Sequence, residues 1–316
     1  MKEDHEIDSF FDSTFNDTDL IKSAKRKSYF RITGVSLLAS ICVVILLIFL
    51  KIQLTPYFMN QKMIEKELFY EIYGANTYTG AWTEQYKLIN SSAVAPKYKL
   101  LNGKPVHLGE VSFDSSPIKV TVGNSELTQF SYQGNRVMNF FHPSLEYPRY
   151  SNDLNELDKV KDGKLIELAL SFDRPYNYEE VVSMLPKDVT LQWNWVNTYS
   201  KEEIEGMKES NSEPIDYILK EYDVAGFPSI SKAGEIIKNP VDDFITTIEL
   251  AQSKGGSYKA EFKYIYNVLK ADQDSLTNEN IKVIGVVVVG DKQQLKSLIN
   301  QHYIKASSFG AIIDQY

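Results

Sequence analysis

One uncharged stretch constrains what this chain can fold into more than any other feature. Residues 32–50 (ITGVSLLASICVVILLIFL) are nineteen residues without a charged side chain. As a helix that rises 1.5 Å per residue, they span roughly 28 Å, close to the hydrocarbon thickness of a bilayer. A buried core helix rarely stays uncharged over about five turns, and a cleaved signal peptide has a shorter apolar part that ends in small residues. We therefore predict a single transmembrane helix over residues 32–50.

The charged residues around this stretch predict its orientation. Residues 1–31 end in a basic segment, whereas only Lys51 and Lys62 lie close to the stretch on its other side. Because cytoplasmic flanks carry the excess of Lys and Arg, we expect the N-terminus in the cytoplasm and residues 51–316 outside the cell membrane. The cations expected to orient the helix are Lys25, Arg26, Lys27 and Arg31.

The composition argues against several classes of function. With 34 basic and 42 acidic residues the formal net charge is −8, so direct binding of nucleic acid is not expected. A single cysteine, Cys42, and four scattered histidines give no spacing typical of a metal site. The sequence contains no nucleophile-elbow, zinc-protease or phosphate-loop motif. We therefore predict a protein that is not an enzyme and that needs no metal or cofactor.

The first twenty residues combine acidic and apolar side chains. Seven acids stand against one lysine, and Ile7, Phe11 and Phe15 recur every four residues, which places them on one stripe of a helix. So short and acidic a segment is marginally helical alone, because nothing covers its apolar face. We predict that the segment docks on a partner, with a solvated tail as the alternative. The predicted partner-binding residues are Ile7, Phe10, Phe11 and Phe15.

Residues 51–150 change from a helical to a β-rich pattern. They begin with a helical stalk, expected to be interrupted or to start afresh near Pro56, and continue with short Tyr- and Val-rich runs. Asn102-Gly103 and Gly123-Asn124 lie between such runs and predict β-hairpins. This region is predicted to be a β-rich, membrane-proximal unit.

Residues 151–316 contain two βαβ patterns separated by a helical insertion. The strands are predicted at residues 165–172, 189–196, 283–289 and 309–313, with helices at 178–185 and 292–300. The insertion is predicted to hold helices at 214–222, 240–252 and 258–271.

The fold class predicted from these patterns is α+β. Because the central strands are apolar on both faces, we expect a four-stranded split βαβ sheet of the ferredoxin-like kind, with its helices on one side. The predicted domains are a cytoplasmic segment at 1–31, the transmembrane helix at 32–50, and extracytoplasmic units at 51–150 and 151–316.

Other motifs that attract attention have structural explanations. The adjacent acids Glu179-Glu180 and Asp242-Asp243 fall in predicted first turns of helices, where carboxylates favour the helix dipole. Gly255-Gly256-Ser257 is predicted to link two helices rather than to cradle a phosphate. Trp193 and Trp195 project from one face of a strand, which favours a core or an interface over a ligand platform.

Several segments together resemble the sigma-factor regulator family, the N-terminal and C-terminal regions of Gram-positive transmembrane anti-sigma factors. They are residues 22–51 (KSAKRKSYFRITGVSLLASICVVILLIFLK), 75–78, 168–181 (LALSFDRPYNYEEV), 191–199 (LQWNWVNTY), 226–228 and 283–314. The resemblance implies a membrane protein that sequesters an extracytoplasmic-function sigma factor on the inner side and responds to envelope signals outside. The chain lacks the paired cysteines of zinc-type anti-sigma domains, so sequestration would be metal-free. About thirty residues inside are too few to fold alone, so they would fold on their partner.

Two further functions stay open at this point. A bitopic envelope scaffold would bind a cell-wall ligand or a second membrane protein through its outer domains, while its tail does little. An anchored ectoenzyme has no supporting motif. The partners expected for the leading hypothesis are a sigma factor and membrane lipid, with an envelope ligand or a second membrane protein outside.

Overall fold

The computed structural model describes residues 17–87, 90–114, 134–210 and 218–315. The chain divides into two compact units, Met1–Tyr57 and Phe58–Tyr316.

In the first unit, the described residues belong to helix α1 (Asp17–Ile72). The predicted transmembrane segment is helical throughout, and its large apolar side chains are exposed. By length and composition, this helix is apolar enough to cross a membrane. The predicted interruption near Pro56 is wrong, because the helix continues through this proline. A proline removes one hydrogen-bond donor, while the turns on either side keep theirs.

The second unit, Phe58–Tyr316, begins with the last turns of α1 and contains eleven strands and five further helices in its described part. The strands are β1 (Thr77–Thr79), β2 (Thr83–Gln85), β3 (Ser92–Leu101), β4 (Lys104–Asp114), β5 (Asn139–Phe140), β6 (Lys164–Tyr176), β7 (Thr190–Val196), β8 (Leu219–Lys220), β9 (Gly226–Pro228), β10 (Val283–Gly290) and β11 (Ile304–Asp314). The helices are α2 (Tyr178–Met184), α3 (Lys201–Ser210), α4 (Pro240–Lys254), α5 (Lys259–Lys270) and α6 (Lys292–Lys296). Short 3₁₀ helices lie at Asp153–Lys159, Gly256–Tyr258 and Asn278–Asn280.

A hairpin forms the centre of the first sheet. Strands β3 and β4 pair antiparallel along their length, while β1 and β2 pair with β3 on its other edge. The hairpin turns at Asn102 and Gly103, whose φ angles of 49° and 79° are those of a two-residue turn that matches the strand twist. The hairpin predicted at Asn102-Gly103 is therefore confirmed. The one predicted at Gly123-Asn124 lies outside the described residues.

The second sheet contains five strands in the order β11-β6-β10-β7-β9, and all neighbours are antiparallel. Four of these strands coincide with predicted ones. The fifth, β9, was not predicted, and it pairs with β7 because Gly226 permits a very close approach. A Cβ added at Gly226 would lie 1.8 Å from the carbonyl oxygen of Asn194. The chain is therefore α+β, as expected, with five strands in this sheet rather than four.

Both faces of the second sheet are buried. Residues of β6 alternate, so that Ile166, Leu168 and Leu170 enter the larger core, while Ala169 faces a smaller cluster with Trp193 and Trp195. Helices α2, α4, α5 and α6 and the last turns of α1 all contribute to the larger core. The smaller cluster also includes Met138 and Val224, which lie in irregular segments of the chain.

Two helix predictions in the second unit differ from the structure. The helix predicted at 214–222 is wrong, because Leu219–Lys220 pairs as a strand with Asn139–Phe140; residues 211–217 lie outside the described part. Pairing with a distant strand overrides the local helical pattern here. The helix predicted at 292–300 ends at Lys296, after which i→i+3 hydrogen bonds tighten the chain into turns.

Helix α3 was missed, although a signal for it is present in the sequence. The Ser200 hydroxyl accepts a hydrogen bond from the Glu203 amide (3.1 Å), and the Glu203 carboxylate accepts one from the Ser200 amide (2.8 Å). This reciprocal pair is a capping box, and the spacing of serine and glutamate could have located it.

Candidate functional site

The site residues predicted from the sequence fall in two groups, those expected to bind a partner and those expected to orient the membrane helix. Ile7, Phe10, Phe11 and Phe15 lie outside the described residues. Lys25, Arg26, Lys27 and Arg31 lie on α1 with exposed side chains. The guanidinium of Arg26 lies 5.9 Å from the centre of the Phe30 ring, one turn further along the helix. The role of these cations in orienting the helix stays a prediction.

A buried ion cluster joins the two sheets of the second unit. The ammonium group of Lys99, on β3, lies 2.8 Å from a carboxylate oxygen of Glu167, on β6, and 2.8 Å from one of Glu221. Lys99 and Glu167 are almost completely inaccessible to solvent, with side-chain exposures of 1% and 0%. Charges buried to this degree are tolerated only when they are paired and hydrogen-bonded.

Hydrogen bonds complete the coordination of both carboxylates. Glu167 also accepts hydrogen bonds from the side-chain amide of Asn76 (2.7 Å) and the backbone amide of Ala311 (2.9 Å), and Glu221 accepts one from the backbone amide of Met138 (3.1 Å). Burial lowers the pKa of Lys99, but the two carboxylates outweigh burial and hold this pKa above its ordinary value. Burial raises the pKa of Glu221, against the influence of Lys99. The cluster is thus a structural junction with a protonated lysine at its centre.

A second buried polar group, His142, lies beside the tryptophan cluster. Its Nδ1 accepts a hydrogen bond from the backbone amide of Ser144 (3.2 Å), so its Nε2 carries the proton and donates to the side-chain oxygen of Asn197 (3.2 Å). Burial lowers the pKa of His142 to about 4. The imidazole is therefore neutral near pH 7 and belongs to the packing of this region.

A cavity of about 360 Å³ opens next to the ion cluster, within the second unit. Its walls come from the end of α1, from β1, from the β7–β9 edge of the second sheet and from the start of α4. This volume is at the low end of the range typical of small-molecule sites. The residues that line it include Glu67, Tyr70, Glu71, Asn76, Tyr78, Trp193, Phe227, Lys232 and Asp243.

The charged groups in the cavity wall are mostly acidic. Glu67, Glu71 and Asp243 contribute carboxylates, and Lys232 contributes one ammonium group. Lys232 lies 3.8 Å from Glu71, at the limit of an ion pair, and both side chains are partly exposed. Burial raises the pKa of Glu71, Lys232 lowers it and Glu67 raises it further. The cavity therefore holds more negative than positive charge.

The uncharged part of the wall includes aromatic residues, hydroxyl-bearing residues and one amide of unusual geometry. The aromatic residues include Tyr70, Tyr78, Trp193 and Phe227. Asn76 adopts a φ of 56°, a left-handed conformation that asparagine tolerates better than most residues. Its side-chain NH₂ donates to Glu167 and to the carbonyl of Leu100, whereas its Oδ1 is buried and accepts no hydrogen bond from the described residues.

The other motifs lie in the elements predicted for them. Glu179 and Glu180 occupy the first turn of α2, where Glu180 accepts a hydrogen bond from the Asn177 amide (2.8 Å). Gly255-Gly256-Ser257 links α4 to α5, and the Ser257 hydroxyl bonds to Glu65. Asp242 and Asp243 occupy the first turn of α4.

Two of those motifs also reach the cavity, which sequence reasoning missed. Trp193 is buried in the core as expected, yet it and Asp243 contribute to the cavity wall. The ion cluster was missed as well. A charged residue within the apolar strand LIELALSF, Glu167, was the available signal, since a carboxylate in a strand buried on both faces needs a partner.

One region of the chain matches a known protein family. Residues 157–311 match the sequence model of the family described as sigma factor regulator C-terminal. This region includes strands β6 to β10 and most of β11. No curated protein matches the chain, and no solved structure matches it.

Proposed function

We propose, from the premise that the chain belongs to the sigma factor regulator family through residues 157–311, that it is a single-pass membrane anti-sigma factor. The family is regulatory rather than enzymatic, and it implies a sigma factor as partner. The observation that carries the proposal is this family match on a chain whose helix α1 is apolar and long enough to cross a bilayer. The finer proposal is that the partner is an extracytoplasmic-function sigma factor and that the stimulus comes from the cell envelope.

The proposed topology places residues 1–31 in the cytoplasm and residues 51–316 outside. The basic residues Lys25, Arg26, Lys27 and Arg31 precede the apolar stretch and support this orientation through the positive-inside rule. An impermeant maleimide tests it in a Cys42→Ser background with one new cysteine at a time. Ser253→Cys should be labelled in intact cells, and Ser9→Cys only after lysis. The reverse pattern would refute the orientation.

The proposed contact with the sigma factor is made by Ile7, Phe10, Phe11 and Phe15. Apolar side chains at helical spacing favour docking of a helix in a groove, and the surrounding acids favour a basic surface on the partner. The segment would gain its structure on binding, at a cost in conformational entropy that lowers the affinity.

Substitution in the full-length protein tests this contact. Phe11→Ala combined with Phe15→Ala should abolish co-purification of a sigma factor and increase transcription from its promoters. Phe30→Ala, an aromatic truncation beside the membrane, is the matched control and should change neither. Unchanged co-purification in the double variant would remove these side chains from the proposal. Deletion of residues 1–20 separates the regulator from an envelope scaffold, since only the regulator depends on this segment.

We interpret the second sheet as a split βαβ arrangement of the ferredoxin-like kind with an added edge strand. Strand β10 lies between β6 and β7, and β6 lies between β10 and β11, which supports this interpretation. The domain boundaries at residues 31, 50 and 150 remain part of the proposal.

A further inference from the structure

The acidic, aromatic cavity has features of a ligand site that the regulatory function does not explain. We infer that it binds a small organic cation, a primary ammonium group carried on an apolar body. The inference concerns the purified protein and does not depend on the identity of the sigma factor.

The charges of the wall favour a cation over an anion. Three carboxylates, those of Glu67, Glu71 and Asp243, meet one ammonium group, that of Lys232. Glu67 is held in place because it accepts a hydrogen bond from the indole nitrogen of Trp82 (3.1 Å). Lys232 approaches Glu71 only to 3.8 Å, so this carboxylate keeps capacity to accept a closer, charge-assisted hydrogen bond.

The neutral part of the wall fits an organic rather than a metal cation. Tyr70, Tyr78, Trp193 and Phe227 contribute to the wall. Aromatic side chains suit the apolar body of an organic ligand, and a ring attracts an ammonium group that lies over its face. A small hydrated metal ion would gain nothing from these rings, since hard cations prefer oxygen ligands.

Asn76 links the cavity wall to the ion cluster, since it lines the cavity and donates a hydrogen bond to Glu167. Its side chain is 1% exposed and its Oδ1 is buried, so this oxygen is not offered to a ligand in the cavity. The acceptors that the wall offers are the three carboxylates, and an ammonium group, which carries three donors and no acceptor, complements them.

The partly buried state of Glu71 agrees with this assignment. Burial raises the pKa of its carboxyl group, and the neighbouring Glu67 raises it further, while Lys232 acts in the opposite direction. A cation in the cavity would stabilise the charged form of Glu71 and neutralise the repulsion between the two glutamates.

Calorimetric titration of the full-length protein in detergent micelles, with empty micelles as the blank, tests the inference. The probes are phenethylamine, the neutral 2-phenylethanol and the anionic 3-phenylpropanoate, which share an aromatic body and differ in charge. Phenethylamine should bind at least ~10-fold more tightly than either of the others, where tenfold corresponds to about 1.4 kcal/mol. Equal affinity for the amine and the alcohol, or no heat of binding with the amine at millimolar concentration, would overturn the inference.

Three variants locate the site. Glu71→Gln should weaken phenethylamine binding at least ~10-fold, whereas Glu249→Gln, an exposed glutamate on α4 outside the cavity wall, should leave it unchanged. Lys232→Gln removes the competing ammonium group and should tighten binding. Loss of binding in Lys232→Gln, or equal affinity of Glu71→Gln and Glu249→Gln, would contradict the assignment. Should Glu71→Gln fail to fold, Asp243→Asn carries the same expectation at the exposed end of the cavity.

Discussion

Removal of the buried cation at Lys99 should destabilise the second unit more than any surface substitution. In Lys99→Met the aliphatic part of the side chain is kept and the ammonium group is lost, so that two carboxylates face each other without a positive charge. Glu167 keeps the donors from Asn76 and Ala311, and Glu221 keeps the one from Met138. These hydrogen bonds are insufficient to hold two buried negative charges, so one carboxylate must take up a proton.

The magnitude follows from the geometry of the cluster. Lys99 contacts both carboxylates at 2.8 Å, and the side chains of Lys99, Glu167 and Glu221 are 1%, 0% and 12% exposed. Breaking one buried ion pair by removing a partner costs about 3–5 kcal/mol. Since a whole domain is stable by about 5–15 kcal/mol, the loss is a large part of the total.

Urea unfolding of the full-length protein in micelles, followed by tryptophan fluorescence, measures this loss because Trp193 and Trp195 are buried. Lys97→Met, two residues away on the same strand, is the matched control. Among the described residues, the ammonium group of Lys97 makes a cation–π contact with Tyr70 at 5.6 Å, so the control should cost no more than about 1 kcal/mol.

Two further measurements separate loss of charge pairing from loss of packing. The folded state of Lys99→Met holds a carboxyl group with a raised pKa, so its disadvantage against the parent should shrink as the pH falls from 7 toward 5. Adding Glu167→Gln and Glu221→Gln removes the unpaired charges and should recover most of the stability. If Lys99→Met were no less stable than Lys97→Met at pH 7, the reasoning would be refuted.

Two other predictions concern His142 and Gly226. Because burial lowers the pKa of His142 to about 4, the unfolded state binds the proton first, and the parent should lose up to about 3 kcal/mol of stability as the pH falls from 6.5 to 4. His142→Gln should lack this component when urea midpoints are compared across that range, and equal slopes in the two proteins would contradict the assignment. Gly226→Ala places a Cβ 1.8 Å from the carbonyl oxygen of Asn194 and should cost about 1–3 kcal/mol or more in the same assay. Gly206→Ala, in helix α3 with no atom of the described residues within 4 Å of the new Cβ, should instead stabilise the protein by about 0.5–1 kcal/mol. Equal effects of the two substitutions would show that the backbones of β7 and β9 do not approach closely at Gly226.

Strands and helices with strong local signals could be predicted from the sequence. The run VIGVVVV predicts a strand buried on both faces, and Val283–Gly290 is buried throughout. Asn102-Gly103 predicts a tight hairpin because both residues tolerate positive φ, and both adopt it. The strand Leu219–Lys220 could not be predicted from local signals, because it forms by pairing with Asn139–Phe140, about eighty residues earlier in the chain.

The candidate sites also divide into those that the sequence predicts and those that it does not. An apolar stretch that can cross a bilayer, and the acidic, aromatic segment before it, are properties of consecutive residues, and the sequence by itself determined them. The ion cluster joins Lys99 to residues 68 and 122 positions away, and the cavity collects its wall from four separate parts of the chain. Only the tertiary structure decided these, because the energy of a buried charge or an unmatched acceptor depends on which distant groups the fold brings within hydrogen-bonding distance.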